Sequence, residues 1–367
     1  MTNGGFQSSW GKAYRYFPLK TTYLMAFFVF ELGSLICGLS PNSTTLIVGR
    51  AINGLGASGL GTGAYTIIAF VAEPRKRPML TGITGMSYGV ASVIGPLLGG
   101  ALTDHLSWRW CFYINLPLGA FSVALIVFFF QTPSGAKPVD ATWREKVLQM
   151  DFVGVALIMG SFLMCLLALQ YGGQTKRWTS SVVIGLIVGF LLIIIAFTIW
   201  VIYQGERAMI VPRLFKQRAI GISCVFALFF SGGYYLVMYY LPIYFQCVDN
   251  ASPTMSGVYN LPLIISVTAS MILSGAFISA TGITTPLQIS GAVIATVAAG
   301  LLYTLDIDTS AGRWIGYQIL GGIGWGISFQ IPIIVAQGNV QAEDVSSVTA
   351  MVLCKFKVLF PHRYGRY

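Results

Sequence analysis

Unbroken apolar runs of about twenty residues or more, separated by polar connections, fill the chain from residue 21 onward. A helix needs about 20 apolar residues to cross the hydrocarbon of a bilayer. Ten runs meet that length: 21–40, 44–71, 79–103, 111–131, 152–171, 181–203, 220–246, 254–280, 285–304 and 314–338. Eight of the ten contain no Asp, Glu, Lys or Arg; Glu31 interrupts the first and Arg50 the second. The runs are continuous rather than alternating, which excludes a closed β-barrel. The pattern predicts an all-α, polytopic membrane bundle with about ten transmembrane helices.

The longer polar connections set the organisation. Residues 132–151 and 204–219 isolate a helical pair, 152–203, between two blocks of four spans. The expected layout is a helix end plus loop over 1–20, an N-terminal bundle over 21–131 and a loop over 132–151. The connector pair 152–203, a second loop over 204–219, a C-terminal bundle over 220–338 and a tail over 339–367 follow.

Composition removes the soluble alternative. Charged residues make up 9% of the chain and apolar residues 55%, against about 25% charged in an ordinary soluble domain. The net charge of +10 does not mark nucleic acid, because its basic residues are scattered among the connecting loops instead of clustered on one module. Their distribution instead orients the chain. Seventeen of the 22 Lys and Arg residues fall in segments on the side of the N-terminus, four on the other side, and Arg50 within a span. Lys and Arg concentrate in cytoplasmic loops, so both termini are expected in the cytoplasm and the plasma membrane is the expected location. Met1 to Trp10 lack the basic and apolar regions of a cleavable signal. The six cysteines have no metal or disulfide spacing, and His105 and His362 belong to no His-Glu-x-x-His motif. No Gly-x-x-x-x-Gly-Lys loop is present for ATP. No metal, cofactor or enzymatic activity is therefore expected, and an intramembrane enzyme stands as a remote alternative.

Polar and small residues inside the spans are the candidates for mechanism. Arg50 lies several residues inside its span, where arginine costs about 2.5–3.5 kcal/mol on insertion scales. Across the short turn at Pro41-Asn42, Glu31 lies about 13 Å and Arg50 about 10 Å below the turn at 1.5 Å per residue. The matching depths suggest an ion pair or a shared polar network, unless the two side chains face apart. In span 79–103, Gly89, Gly95, Pro96, Gly99 and Gly100 combine small-xxx-small spacing with a proline bend, and Gly82 and Gly85 extend the smooth face. Close helix packing is the plain alternative. Span 220–246 carries an aromatic run including Tyr235 and Tyr239, suited to a pocket for amphipathic organic molecules or to the lipid interface. Asn260, Gln288 and Gln330 either line the same cavity or bond between helices.

Taken together, these stretches resemble the major facilitator superfamily, in its fungal fourteen-helix drug:proton antiporter branch. The resemblance rests on Gly11 to Phe17, Phe30 to Ser34, Leu46 to Ala57, Gly89 to Gly100 and Ser107 to Pro117, and covers about residues 5–353. It implies a secondary transporter exporting small hydrophobic or amphipathic compounds in exchange for protons. By the same resemblance, Arg50 assists proton coupling, Gly11, Lys12 and Arg15 belong to a cytoplasmic gating loop, and Gly95, Pro96, Gly99 and Gly100 shape a helix contact. A fourteen-helix member has two further helices at each end, so a truncated, non-transporting membrane fragment is the alternative. The implied partners are the bilayer, the transported compound and protons.

Overall fold

In the computed structural model, described residues are 2–133, 135–173, 175–307 and 309–358. The side chains of Pro96, Leu97, Pro253, Thr254 and residues 355–358 fall outside that description. The chain begins with α1 (Thr2–Gly5) and α2 (Gln7–Tyr16), then α3 (Leu19–Leu39) and α4 (Ser43–Val71). Next come α5 (Arg77–His105), the single turn α6 (Trp110–Tyr113), α7 (Asn115–Phe129) and the short α8 (Trp143–Leu148). α9 (Phe152–Tyr171) and α10 (Ser181–Gln204) precede α11 (Pro212–Lys216) and α12 (Arg218–Cys247). The last six are α13 (Pro253–Tyr259), α14 (Leu261–Thr281), α15 (Thr285–Tyr303), α16 (Ala311–Phe329), α17 (Ile331–Gly338) and α18 (Val345–Val358). Among the described residues, ten helical segments are long and apolar enough to cross a membrane, one for each expected run.

Two expected spans are interrupted where proline dictates it. The run 254–280 divides at Asn260 into α13 and α14, and 314–338 divides at Gln330 into α16 and α17. Pro262 and Pro332 each stand at the second position of the following helix. Each lacks the N–H that would bond four residues back. At the first break a neighbour compensates. The amide nitrogen of Gln318, fully buried on α16, donates to the Tyr259 carbonyl at 2.9 Å, and its Oε1 accepts from the Leu263 N–H at 3.3 Å.

The described chain forms two compact units. The first contains residues 2–66, 115–221 and 340–358. Within it α3 and α4 cross so closely that Gly33 lies on the backbone of Asn53, and Gly56 on that of Phe30. α9 and α10 pack as a pair, pinned by Asp151. This buried residue takes the left-handed conformation at φ +46°, which Asp tolerates better than most non-glycine residues. Its carboxylate caps α9 by accepting from Gly154 N at 2.9 Å, and also accepts from Trp200 Nε1 at 2.8 Å and from Met209 N. Residues 345–358, expected in a tail, instead form α18, with Val348, Ala350 and Val352 fully buried. Small residues every four positions, Ser346, Ala350 and Cys354, let α18 approach the N-terminal helices: Gly11 meets Ser346 and Ala350, and Cys354 Sγ reaches the Gly4 carbonyl. The apolar stretch is too short to read as a span, so its packing was hidden.

The second unit contains residues 67–114 and 222–339. Leu241, Phe245, Leu263, Val267, Met271, Ala295 and Trp325 form its core. α5 lies along α14 through glycine. A Cβ at Gly82 would come 2.7 Å from the Met271 carbonyl oxygen, and Thr268 Oγ1 fills the space beside Gly89.

Candidate functional site

The residues singled out by sequence fall into three places. The first is on α2. Lys12 is only 3% exposed, because α2 lays it under the loops that flank the α9–α10 pair. Its ammonium donates to Gln149 Oε1 at 3.1 Å and to the Glu206 carbonyl at 3.0 Å. Burial pushes its pKa down from 10.5 to about 7, against the attraction of Asp151, Glu206 and Glu145 and with the repulsion of Arg15. One turn on, Arg15 Nη1 meets Asp344 Oδ1 at 2.8 Å, and Asp344 Oδ2 accepts from Arg213 Nη2 at 3.0 Å. Arg213 also pairs with Glu206 at 3.0 Å. Arg207 grips Glu145 with two bonds, at 2.8 and 2.6 Å, which hold the Glu145 carboxyl below its ordinary range. Gln149, which receives Lys12, donates to Glu145 Oε1 at 3.0 Å. Gly11 supplies the close approach to α18. The two cations of the expected gating loop are therefore held by partners from three separate segments, while the Nε of Arg15 is buried without a hydrogen-bond partner. Glu145, Gln149, Glu206, Arg213 and Asp344 were not singled out by sequence. The signal available was four acids, Glu145, Asp151, Glu206 and Asp344, lying in or beside the segments richest in Lys and Arg.

The second place is the α3–α4 hairpin, and here the expected pairing is corrected. Among the described residues Glu31 forms no ion pair with Arg50. The face of α3 toward α4 carries Phe30, Gly33 and Cys37, which meet Gly56, Asn53 and Gly49. Glu31 lies on the other flank, where its Oε1 occupies the space a Cβ would need at Gly119 of α7. Its Oε2 is buried with no hydrogen-bond partner. Arg50 is exposed on α4. Depth along the hairpin matched, and the rotation about the helix axes did not. The polar link at this crossing is Asn53 instead, which donates to Ser34 Oγ at 2.8 Å and to the Phe30 carbonyl at 3.1 Å; Asn115 reaches the same Ser34 at 3.3 Å.

The third place is the second unit. On α5 the tight contacts fall at Gly82, Gly85 and Gly89. A Cβ at Gly95, Gly99 or Gly100 would meet nothing within 4 Å among the described residues, and the side chain of Pro96 lies outside them. The close helix contact thus sits on the half of α5 that precedes the antiporter-like segment, with Gly89 as its last member. The expected cavity residues separate. Asn260 starts α14 and Gln288 lies beyond its far end, in the first turn of α15, about 30 Å away at 1.5 Å per residue. Gln330 turns its amide to Gly85. Tyr239 is exposed and meets Tyr240 edge-on at 5.3 Å. Tyr235 meets Tyr234 at 5.5 Å, and Tyr234 packs against Trp325 at 5.9 Å and Phe329 at 5.5 Å. Tyr234 and Asn260 converge on one atom, Met238 Sδ. No group of three or more His, Cys, Asp or Glu among the described residues is arranged to hold a metal ion.

The family model described as Major Facilitator Superfamily matches residues 2–354. The chain is 56% identical over 352 residues to the MFS-type transporter grgE of Penicillium sp, covering 96% of this chain and 62% of that protein. It is 53% identical over 353 residues to the probable efflux pump gsfJ of Penicillium aethiopicum, covering 96% and 63%. The chain thus spans less than two thirds of the length of these relatives. Among solved structures, the human organic anion transporter MFSD10 (TETRAN) superposes with a TM-score of 0.65 at 13% identity, covering 97% of this chain and 72% of that one. That likeness concerns the fold.

Proposed function

This chain belongs to the major facilitator superfamily, and from that premise we propose that it exports small hydrophobic or amphipathic compounds in exchange for protons. The substrate site is exposed alternately to the two faces of the membrane. The observation that carries this reading is the latch on α2: Lys12 held by Gln149 and Glu206, and Asp344 shared between Arg15 and Arg213. Ion pairs that join separate segments have two discrete states, made and broken, as a gate requires. In this reading the latch and both termini lie in the cytoplasm, and the membrane is the plasma membrane. The bundles are 21–131 and 220–338, with 152–203 as the connector. Glu31, a carboxyl inside a span with one oxygen uncommitted, is the proton-carrying candidate, and Arg50 assists the coupling from α4 without pairing with it. Relatives named as a probable efflux pump and as efflux pumps support the direction of transport.

The test uses the chain in inside-out vesicles with ethidium as the probe. Acidifying the lumen drives ethidium inward, and a protonophore abolishes that uptake. Asp344→Asn lowers the rate about tenfold with helix content unchanged. Ethidium uptake that persists unchanged with the protonophore would sink the proton-coupled reading.

A further inference from the structure

Asn260 is 4% exposed and stands between α13 and α14. An asparagine at a helix start ordinarily caps the helix, but this side chain makes no capping bond. Its Oδ1 is buried with no hydrogen-bond partner. Its Nδ2 reaches only the thioether of Met238, at 3.5 Å. The hydroxyl of Tyr234 likewise meets only that sulfur, at 3.9 Å. A thioether is a weak acceptor, so two donors and one acceptor stand at the edge of an apolar core without a good oxygen or nitrogen partner. Buried polar groups in this state are unusual and unfavourable. Nothing in the local fold uses them.

We propose that Tyr234, Met238 and Asn260 form a binding subsite for aromatic compounds bearing a hydroxyl group. The ligand hydroxyl donates to Asn260 Oδ1, and the same or an adjacent ligand oxygen accepts from Tyr234 or from Asn260 Nδ2. The surroundings favour a flat ring. Tyr234 presents edge-to-face contacts with Trp325 and Phe329 at 5.9 and 5.5 Å, the geometry in which a further ring also packs well. Entry requires the Met238 side chain to shift, because Asn260 Oδ1 is buried. Tyr234 and Met238 are only partly buried, and the unbranched methionine side chain moves aside at small cost. In the free protein the sulfur acts as a stand-in for the ligand oxygen. The subsite rests on the exporter reading for its biological role, not for its chemistry.

Equilibrium binding to the whole chain in nanodiscs tests this, with 2-naphthol and 2-methoxynaphthalene as probes. The two share a ring system, and only the first has a hydroxyl donor. The wild type is expected to prefer 2-naphthol. Asn260→Leu weakens 2-naphthol about threefold to tenfold, the worth of one neutral hydrogen bond, leaves 2-methoxynaphthalene within about twofold, and does not lower the unfolding temperature. Met238→Leu, which removes the competing sulfur and keeps the amide, retains or tightens 2-naphthol binding. Equal affinities in the wild type, no binding of either probe, equal losses of both in Asn260→Leu, or loss of 2-naphthol in Met238→Leu would each overturn the subsite. If Asn260→Leu fails to fold, the wild-type preference and the Met238→Leu result decide alone. Should naphthol discrimination hold while ethidium uptake shows no proton dependence, only the exporter reading falls.

Discussion

Lys12 carries an ammonium into a place from which water is largely excluded. Its lowered pKa makes stability depend on pH in a defined direction. The unfolded chain keeps the ordinary value of 10.5 while the folded protein releases the proton near 7, so between about pH 7 and pH 10.5 the unfolded state binds more protons. Stability from this group therefore rises with pH across that window and is flat below it. We predict that the unfolding temperature in detergent rises between pH 7 and pH 9, and that Lys12→Met removes most of the rise. Lys12→Arg, which cannot release its proton, also removes it and lowers stability throughout. A slope unchanged in Lys12→Met would show that other groups produce it. The lysine itself was visible in the sequence as part of a family-like segment. Its burial was not, because the partners Gln149 and Glu206 stand 137 and 194 positions away and no local pattern announces them.

Helices were legible because lipid imposes a length and an apolar composition on each of them, and every expected run is found. Azimuth was not legible. The proposed partners Glu31 and Arg50 share a depth and face different neighbours, since one residue of offset along α3 rotates a side chain by about 100°. The glycines of α5 teach the same lesson, as all of them look alike in sequence. Gly82 stands against a backbone carbonyl at 2.7 Å, which cannot yield as a side chain does, whereas Gly95 meets nothing within 4 Å among the described residues. Gly82→Ala is predicted to destabilise by about 1–3 kcal/mol, the usual range for overpacking, read by thermal unfolding. Gly95→Ala is predicted to leave the unfolding temperature unchanged, and as a better helix former to raise it if anything. Equal effects at both positions would contradict the packing described for α5 and α14.

At the scale of the whole molecule, orientation rests on the division of Lys and Arg among the connections, and an exposed thiol can report it. Cys247 is exposed at the end of α12, on the side opposite the basic loops. In intact cells expressing a Cys111→Ser background, a membrane-impermeant maleimide is expected to label Cys247. A cysteine introduced as Lys76→Cys, with Cys247→Ser, is expected to react only after permeabilisation. The reverse pattern would invert the topology. The bend at Asn260 has a consequence of its own. Its two loose backbone groups are tied by Gln318, which belongs to α16 and not to either half of the bent helix. The pin of this hinge is thus mounted on a different door. A roll or slide of α16 that kept both bonds would carry Tyr259 and Leu263 with it, so a disturbance arising at one helix would reach the junction of two others without intermediary.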